Sequence, residues 1–183
     1  MRQFAMAGLV VVLLAEMAVL EAQDAPKKSG PLKEHEWLQQ FVGEWDSEAP
    51  EEPGKPPQKG KVTESARMLG GLWIVAESKI TIMDKPMTGM LTLGYDPQKR
   101  KYVGTWIDSS TSYLWNYEGT VDAAGKVLTL EAEGPNPIAP GKLSKFKDVH
   151  EFKSKDHKVL ASSMLGEDGK WHTFVTVNYR RKK

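Results

Sequence analysis

Turn-forming clusters recur roughly every 10–15 residues along this chain from Gly43 onward, and that rhythm limits the possible folds more than any other feature. Met83-Asp84-Lys85-Pro86, Asp96-Pro97-Gln98-Lys99, Asp122-Ala123-Ala124-Gly125, Ser154-Lys155-Asp156 and Gly166-Glu167-Asp168-Gly169 separate segments rich in Val, Ile, Thr, Trp and Tyr. Gaps this short leave no room for crossover helices, so the pattern predicts consecutive hairpins rather than βαβ units. Strands are expected near 43–49, 60–69, 72–82, 86–95, 100–109, 112–121, 126–133, 144–153, 158–165 and 170–180. About ten antiparallel strands in a meander would leave two open edges, and closing the sheet removes them. The expected fold is therefore all-β, an up-and-down antiparallel barrel. Two Pro-rich loops interrupt the rhythm, Ala49–Lys59 and Gly134–Lys142.

Two segments precede the strands. Arg2 followed by the apolar run Phe4–Ala15 is too short to span a bilayer, which needs about 20 residues, but suits the core of a signal peptide. Leu20-Glu21-Ala22 offers a cleavage site after Ala22, and polar residues 23–31 read as a linker. The expectation is an exported protein, periplasmic or secreted, with a mature domain over 32–183 and no membrane anchor after cleavage. In Leu32–Val42, Trp37, Leu38, Phe41 and Val42 share one face, which predicts a short amphipathic helix leading into the first strand. The chain has no cysteine, so neither a disulfide nor a lipid-modified cysteine holds it.

Charge excludes some partners. With 25 Lys and Arg against 24 Asp and Glu there is no basic field to grip phosphates, and nucleic acid is not an expected partner. Gly54–Lys61 resembles a phosphate loop only loosely: its glycine spacing is too long, Val62 stands where Ser or Thr is needed, and Pro56 and Pro57 remove amide donors. No G-x-S-x-G elbow occurs. The four histidines, His35, His150, His157 and His172, lack metal-ligand spacing, so no metal site is expected.

Alternate residues of a strand share a face. Tyr102, Gly104, Trp106 and Asp108 therefore point one way, and Gly104 would leave room beside the Trp106 indole. Such a face can line a cavity, or Trp106 can be core and Asp108 a turn cap. Tyr113, Trp115 and Tyr117 share a face on the next strand. On the last strand His172, Phe174, Thr176, Asn178 and Arg180 alternate with Trp171, Val175, Val177 and Tyr179; either set suits a lumen or a solvent face. The candidate ligand-binding residues are Trp106, Asp108, Tyr102, Tyr117, Asn178 and Arg180.

Phe41-Val42-Gly43-Glu44-Trp45, after a short helix, resembles the entry motif of the calycins, the lipocalins and fatty-acid-binding proteins. More specifically, Gly43-Glu44-Trp45-Asp46, Leu69-Gly70-Gly71, Leu93-Gly94-Tyr95-Asp96, Thr105-Trp106-Ile107-Asp108-Ser109, Glu118-Gly119-Thr120 and the closing Tyr179–Lys183 resemble the bacterial DUF1579 family, whose members have no assigned function. The resemblance implies a lipocalin-like barrel, with Gly43 and Trp45 closing its base and Arg180, or Arg181, packed across the indole. It implies no reaction.

Three functions stay open at this stage. One is a barrel holding an apolar or amphipathic small molecule, which rests on fold analogy and the Trp106/Asp108 face. Another is a haem-binding barrel using His172 or His150, as one calycin-like branch does. The third is an enzyme with Asp108 and Glu118, or Glu131, as acid and base, although no catalytic motif is present. No cofactor is expected on the residues alone.

Overall fold

The computed structural model describes residues 30–48, 51–55, 60–82 and 84–183. The expected signal peptide and most of the linker fall outside these residues. Ten antiparallel strands form a closed barrel: β1 (Gly43–Glu48), β2 (Gly60–Leu69), β3 (Trp73–Ile82), β4 (Lys85–Asp96), β5 (Lys101–Asp108), β6 (Trp115–Val121), β7 (Val127–Pro135), β8 (Leu143–Ser154), β9 (His157–Leu165) and β10 (Trp171–Arg181). Each strand pairs with its neighbours in sequence, and β10 returns to β1. The expected meander, its closure and most strand limits hold. The strand expected from 112 begins only at Trp115, because Asp108 and Thr111 accept the amides of Ser110 and Tyr113 and draw 109–114 into a loop.

Closure of the barrel is polar as well as apolar. Trp45 and Asp46 stand opposite Arg181 and Arg180, and the Lys182 amide donates to the Glu44 carbonyl at 2.8 Å. Past the end of β1, Glu51 bridges back to Thr176 through paired backbone bonds of 2.7 and 2.8 Å, lengthening the seam. Between β4 and β7 the wall has two points of close backbone approach, each at a glycine. A Cβ on Gly104 would lie 2.0 Å from the Thr92 carbonyl oxygen, and one on Gly119 would lie 1.9 Å from that of Thr129. Only glycine lets neighbouring backbones approach so closely. Gly104 therefore admits the β4 backbone and does not open space beside Trp106 as the sequence suggested.

The amphipathic segment before β1 plugs one end. It is an α-helix only over Lys33–Trp37 and then tightens into a 3-10 turn over Leu38–Phe41. Trp37 donates to the Gly125 carbonyl at 2.8 Å, and the Tyr102 hydroxyl donates to the Glu34 carbonyl at 3.2 Å, so the plug is tied to two strand ends. Leu38 and Phe41 are fully buried and join Ile74, Leu93, Leu128 and Leu130 in one core. Phe41 meets Phe152 and His150 edge-on at 5.0 and 5.3 Å between ring centres. Burying such side chains contributes about 1.5–3 kcal/mol each. Residues 51–55, the β5/β6 loop and the β7/β8 loop lie at the other end.

Candidate functional site

The inward faces divide the lumen in two. Near the plug the side chains are packed solid, with Trp45, Ile74, Leu93 and Leu128 fully buried. Toward the open end, the inward-facing Trp106, Trp115, Phe146 and Asp148 stay only partly buried. Two indoles line this open half, each lying over a glycine. A Cβ on Gly89 would come within 2.2 Å of the Trp106 ring, and one on Gly134 within 2.2 Å of the Trp115 ring. The missing side chains on β4 and β7 thus create the seats for the two rings. Trp115 meets Phe146 edge-on at 4.8 Å, and Phe146 meets Phe174 at 6.3 Å.

Trp106 and Asp108 are brought together, as their spacing predicts. The indole Nε1–H donates to Asp108 Oδ2 at 2.9 Å, while Oδ1 accepts the Ser110 amide at 2.8 Å and the Ser110 hydroxyl at 2.5 Å. Asp108 thus caps the turn, as one of the two expectations had it, and also fixes the Trp106 indole. Burial pushes its carboxyl up, but bonds from Ser110, Trp106 and Thr111 outweigh that and hold it below the usual carboxylate value. A depression of about 420 Å³ lies beside this pair, ringed by Glu77, Lys79, Thr88, Met90, Ile107 and Ser109. Those side chains alternate with the lumen set, so it opens on the outside of the wall.

The other expected residues separate. Tyr102 is buried under the plug, edge-on to Trp37 at 5.4 Å and Tyr95 at 5.3 Å, away from the open half. Tyr117 does face the lumen, and its hydroxyl donates to Asp148 Oδ2 at 2.6 Å. Asn178 and Arg180 point outward, and Asn178 donates to Glu51 Oε1 at 3.4 Å on the outer surface. The reason is a bulge in β10 between Thr173 and Val175. One extra residue reverses the alternation, so Val175, Val177, Tyr179 and Arg181 face inward below it.

The same reversal assigns barrel closure to Arg181 rather than Arg180. Its guanidinium carbon lies 4.1 Å from the Trp45 ring centre, while its nitrogens donate to the carbonyls of Val42, Gln40 and Lys155. Gly43 has φ +125°, and a Cβ there would lie 2.3 Å from Arg181 Nη1. Glycine is thus required for the clasp. Trp45 is fully buried and donates from Nε1 to the Phe41 carbonyl at 2.8 Å.

Sequence reasoning missed the polar floor of the lumen. Asp148 accepts from Tyr117 and from the Ser162 hydroxyl; burial pushes its carboxyl up, and these two bonds only partly offset that. One step along the same face of β8 is His150, 6% exposed, whose Nδ1 has no hydrogen-bond partner. Burial, with Lys158 nearby, pushes its imidazole down to about 3, so it is neutral. Deeper still, Lys158 pairs with Glu64 and sits 4.7–5.0 Å from the ring centres of Tyr179, Trp45 and Phe41. No local motif announces these groups, since Glu64 and Lys158 are 94 residues apart. The mixed pattern Phe146, Asp148, His150, Phe152 was the available signal.

Two alternatives lose their geometry. Glu118 and Glu131 stand opposite each other on the outer face, across the wall from Asp108. Bonds from Lys101 and Lys99 hold the Glu118 carboxyl down at about 2, so no acid/base pair with Asp108 is assembled. For haem, His150 lies beneath the Phe41 ring, and His172 Nε2 is engaged with Asp168 Oδ1 at 2.9 Å. Neither presents a free imidazole to an open face, so these residues do not fit the group. Among the described residues no cluster of His, Cys, Asp or Glu is arranged to hold a metal, and no helix is long and apolar enough to cross a membrane.

Comparison with known proteins agrees with this architecture. Residues 30–181 match the model of DUF1579, described as a protein of unknown function. The fold is similar to Rv2717c from M. tuberculosis, with TM-score 0.58 and 14% identity over 84% of this chain and 99% of that one. It is also similar to the S-type phycobiliprotein lyase CPES from Guillardia theta, with TM-score 0.52 and 11% identity over 81% of this chain and 92% of that one. No curated protein matches in sequence. Likeness at this identity speaks for the fold alone.

Proposed function

We propose that this chain, which belongs to the DUF1579 family, is a binding module that holds a small amphipathic molecule in the open half of its barrel. One observation carries the reading. The half of the lumen near the plug is packed solid, while Trp106, Trp115, Phe146 and Asp148 face inward yet stay partly exposed. An apolar concave wall with a few convergent polar groups is the usual form of a ligand site. Its aromatic residues are held in advance, by the Asp108 bond and the two glycine seats, so little ordering is required on binding. The likeness to a phycobiliprotein lyase supports a barrel of this shape handling a ligand-bearing partner, by analogy of fold.

The test uses a neutral fluorescent probe, N-phenyl-1-naphthylamine, with native mass spectrometry of freshly purified protein. Saturable uptake is expected, and Ser162→Phe, which fills the floor, should abolish it while cooperative melting persists. A protein that takes up no probe and carries no small molecule would refute the reading. We further propose that residues 1–22 direct export and are removed, from the apolar run Phe4–Ala15. Amino-terminal sequencing of exported protein should begin at Gln23 or within a few residues, and an intact Met1 there would overturn it.

A further inference from the structure

We propose that the open end of the barrel docks on an anionic lipid surface through the β5/β6 and β7/β8 loops, with Ile138 entering the bilayer interface and Lys142 and Lys145 meeting the lipid phosphates. This surface lies outside the mouth and serves whether or not the lumen holds a ligand. The fold leaves its apolar side chains uncovered: Ile138 is 80% exposed, and Leu114 and Leu143 are exposed as well. Both leucines alternate with the inward Trp115 and Phe146, and so turn outward. The strand ends gather them. Leu143 stands opposite Pro135, the Trp115 ring lies over Gly134, and the Tyr113 hydroxyl donates to the Glu133 carbonyl at 3.0 Å. Ile138 does not fold back over the barrel. The Asn136 side chain accepts the amides of Ile138 and Ala139 at 2.8 and 2.9 Å and donates to the Ser144 hydroxyl at 2.8 Å. The Lys142 amide donates to the Ala139 carbonyl at 3.1 Å, so the loop is pinned at its base and its apolar tip is held out in solvent. Single exposed apolar side chains need no explanation, but a contiguous group at one end of a molecule marks an interaction site.

Charge on the same segments selects the partner. Residues 109–115 carry no charged side chain, and 134–145 carry only Lys142 and Lys145. Both lysines are exposed, and neither is held in an ion pair among the described residues. Over the whole chain acids and bases balance, 24 against 25, so an acid-free apolar stretch with two lysines is a local feature. Glu133 stands opposite Lys145, one step back toward the plug. Glu167 and Asp168 lie in the β9/β10 turn, so the β5/β6 and β7/β8 side of the rim is the part suited to docking. A bilayer interface offers apolar depth to Ile138 and the two leucines, and anionic headgroups to the lysines. A second copy of the patch would instead bring four lysines to one small interface, and like charges there oppose self-association.

The test is co-sedimentation with vesicles of equimolar phosphatidylcholine and phosphatidylglycerol, and with vesicles of phosphatidylcholine alone. The chain used begins at Gln23. It keeps the plug and all ten strands and lacks the apolar run Phe4–Ala15, which would bind lipid by itself. A lysine near an anionic surface strengthens adsorption about fivefold, so the mixed vesicles should be bound about tenfold or more tighter than phosphatidylcholine. Added salt should shrink that margin. Ile138→Asp should weaken binding to the mixed vesicles by about tenfold or more, with an unchanged melting temperature. Lys142→Gln with Lys145→Gln should remove the preference for anionic lipid. Leu69→Asp, at another exposed apolar site but near the plug, should leave binding as it is. Absence of binding to the mixed vesicles overturns the inference, as does binding that survives Ile138→Asp or falls equally with Leu69→Asp. A chain that is dimeric without lipid, and monomeric with Ile138→Asp, assigns the patch to a second copy and also overturns it. Probe uptake into the lumen is a separate measurement, so either reading can fail alone.

Discussion

Replacing Lys158 by methionine removes one charge from the driest part of the molecule and leaves another behind. The Lys158 side chain is 1% exposed and that of Glu64 8%, so water cannot take over for the lost partner. The ammonium contributes a direct bond to Glu64 and lies within 5.0 Å of three ring centres. A pair near 4 Å at an effective dielectric of about 20 interacts by about 4 kcal/mol, and cation–π contact adds on the order of 1 kcal/mol. Methionine recovers much of the packing but none of the charge, so Lys158→Met should cost about 3–5 kcal/mol. Lys158→Met with Glu64→Leu removes both charges and should return to within about 1–2 kcal/mol of the parent, on either side. Urea unfolding of the parent, both single variants and the double variant closes the cycle. A Lys158→Met protein within 1 kcal/mol of the parent, with Glu64 intact, would refute the claim that this pair is buried and mutually dependent.

The His150 imidazole is pushed from its ordinary value of 6.5 down to about 3, so the unfolded chain binds a proton there that the folded barrel refuses. Its contribution to stability is complete above pH 6.5 and fades as pH falls toward 3, by about 2–3 kcal/mol between 6.5 and 4.5; thermal melts should show a shallower acid limb for His150→Leu. Asp108→Ala releases the Trp106 indole and uncaps Ser110, and should cost about 1–2 kcal/mol with a shifted tryptophan emission. A melting temperature and emission spectrum both unchanged would contradict those bonds. Gly104→Ala drives a methyl into the Thr92 carbonyl and should cost about 2–3 kcal/mol or more, measured by denaturant midpoint.

The strands were legible because two periodicities agreed: alternation of side chains along β2, β3 and β7, and Asp- or Gly-bearing turns between them. Turn residues act locally, so a reader of sequence sees their whole environment; Asp122 accepting the amides of Lys126 and Val127 is an example. Trp45 and its glycine were legible for the same reason, since the entry motif lies within a few residues. The lumen was not. Its sidedness on β10 turns on one bulge, which sends Arg181 inward and Asn178 and Arg180 outward with no mark in the residues themselves. Its polar floor draws Tyr117, Asp148 and Ser162 from three strands, and an inward-facing, half-buried carboxylate reads in sequence like a solvated one. Gly104 misled in an instructive way. Space beside an indole is made by the strand facing it, here by Gly89 on β4, and not by a neighbour on its own strand.

The seam between β1 and β10 has a kinetic consequence. Every other pairing joins strands adjacent in the chain, whereas the Arg181 clasp reaches back 139 residues to Val42. Hairpins can therefore assemble early and cheaply, while ring closure waits for the largest loop entropy in the molecule. Until then the sheet carries two raw edges, β1 and β10, each able to accept a strand from another copy. The same clasp that stabilises the finished barrel thus sets the lifetime of its most association-prone precursor. Refolding yield should fall with protein concentration more steeply when Arg181 is shortened, even where the folded state survives the change.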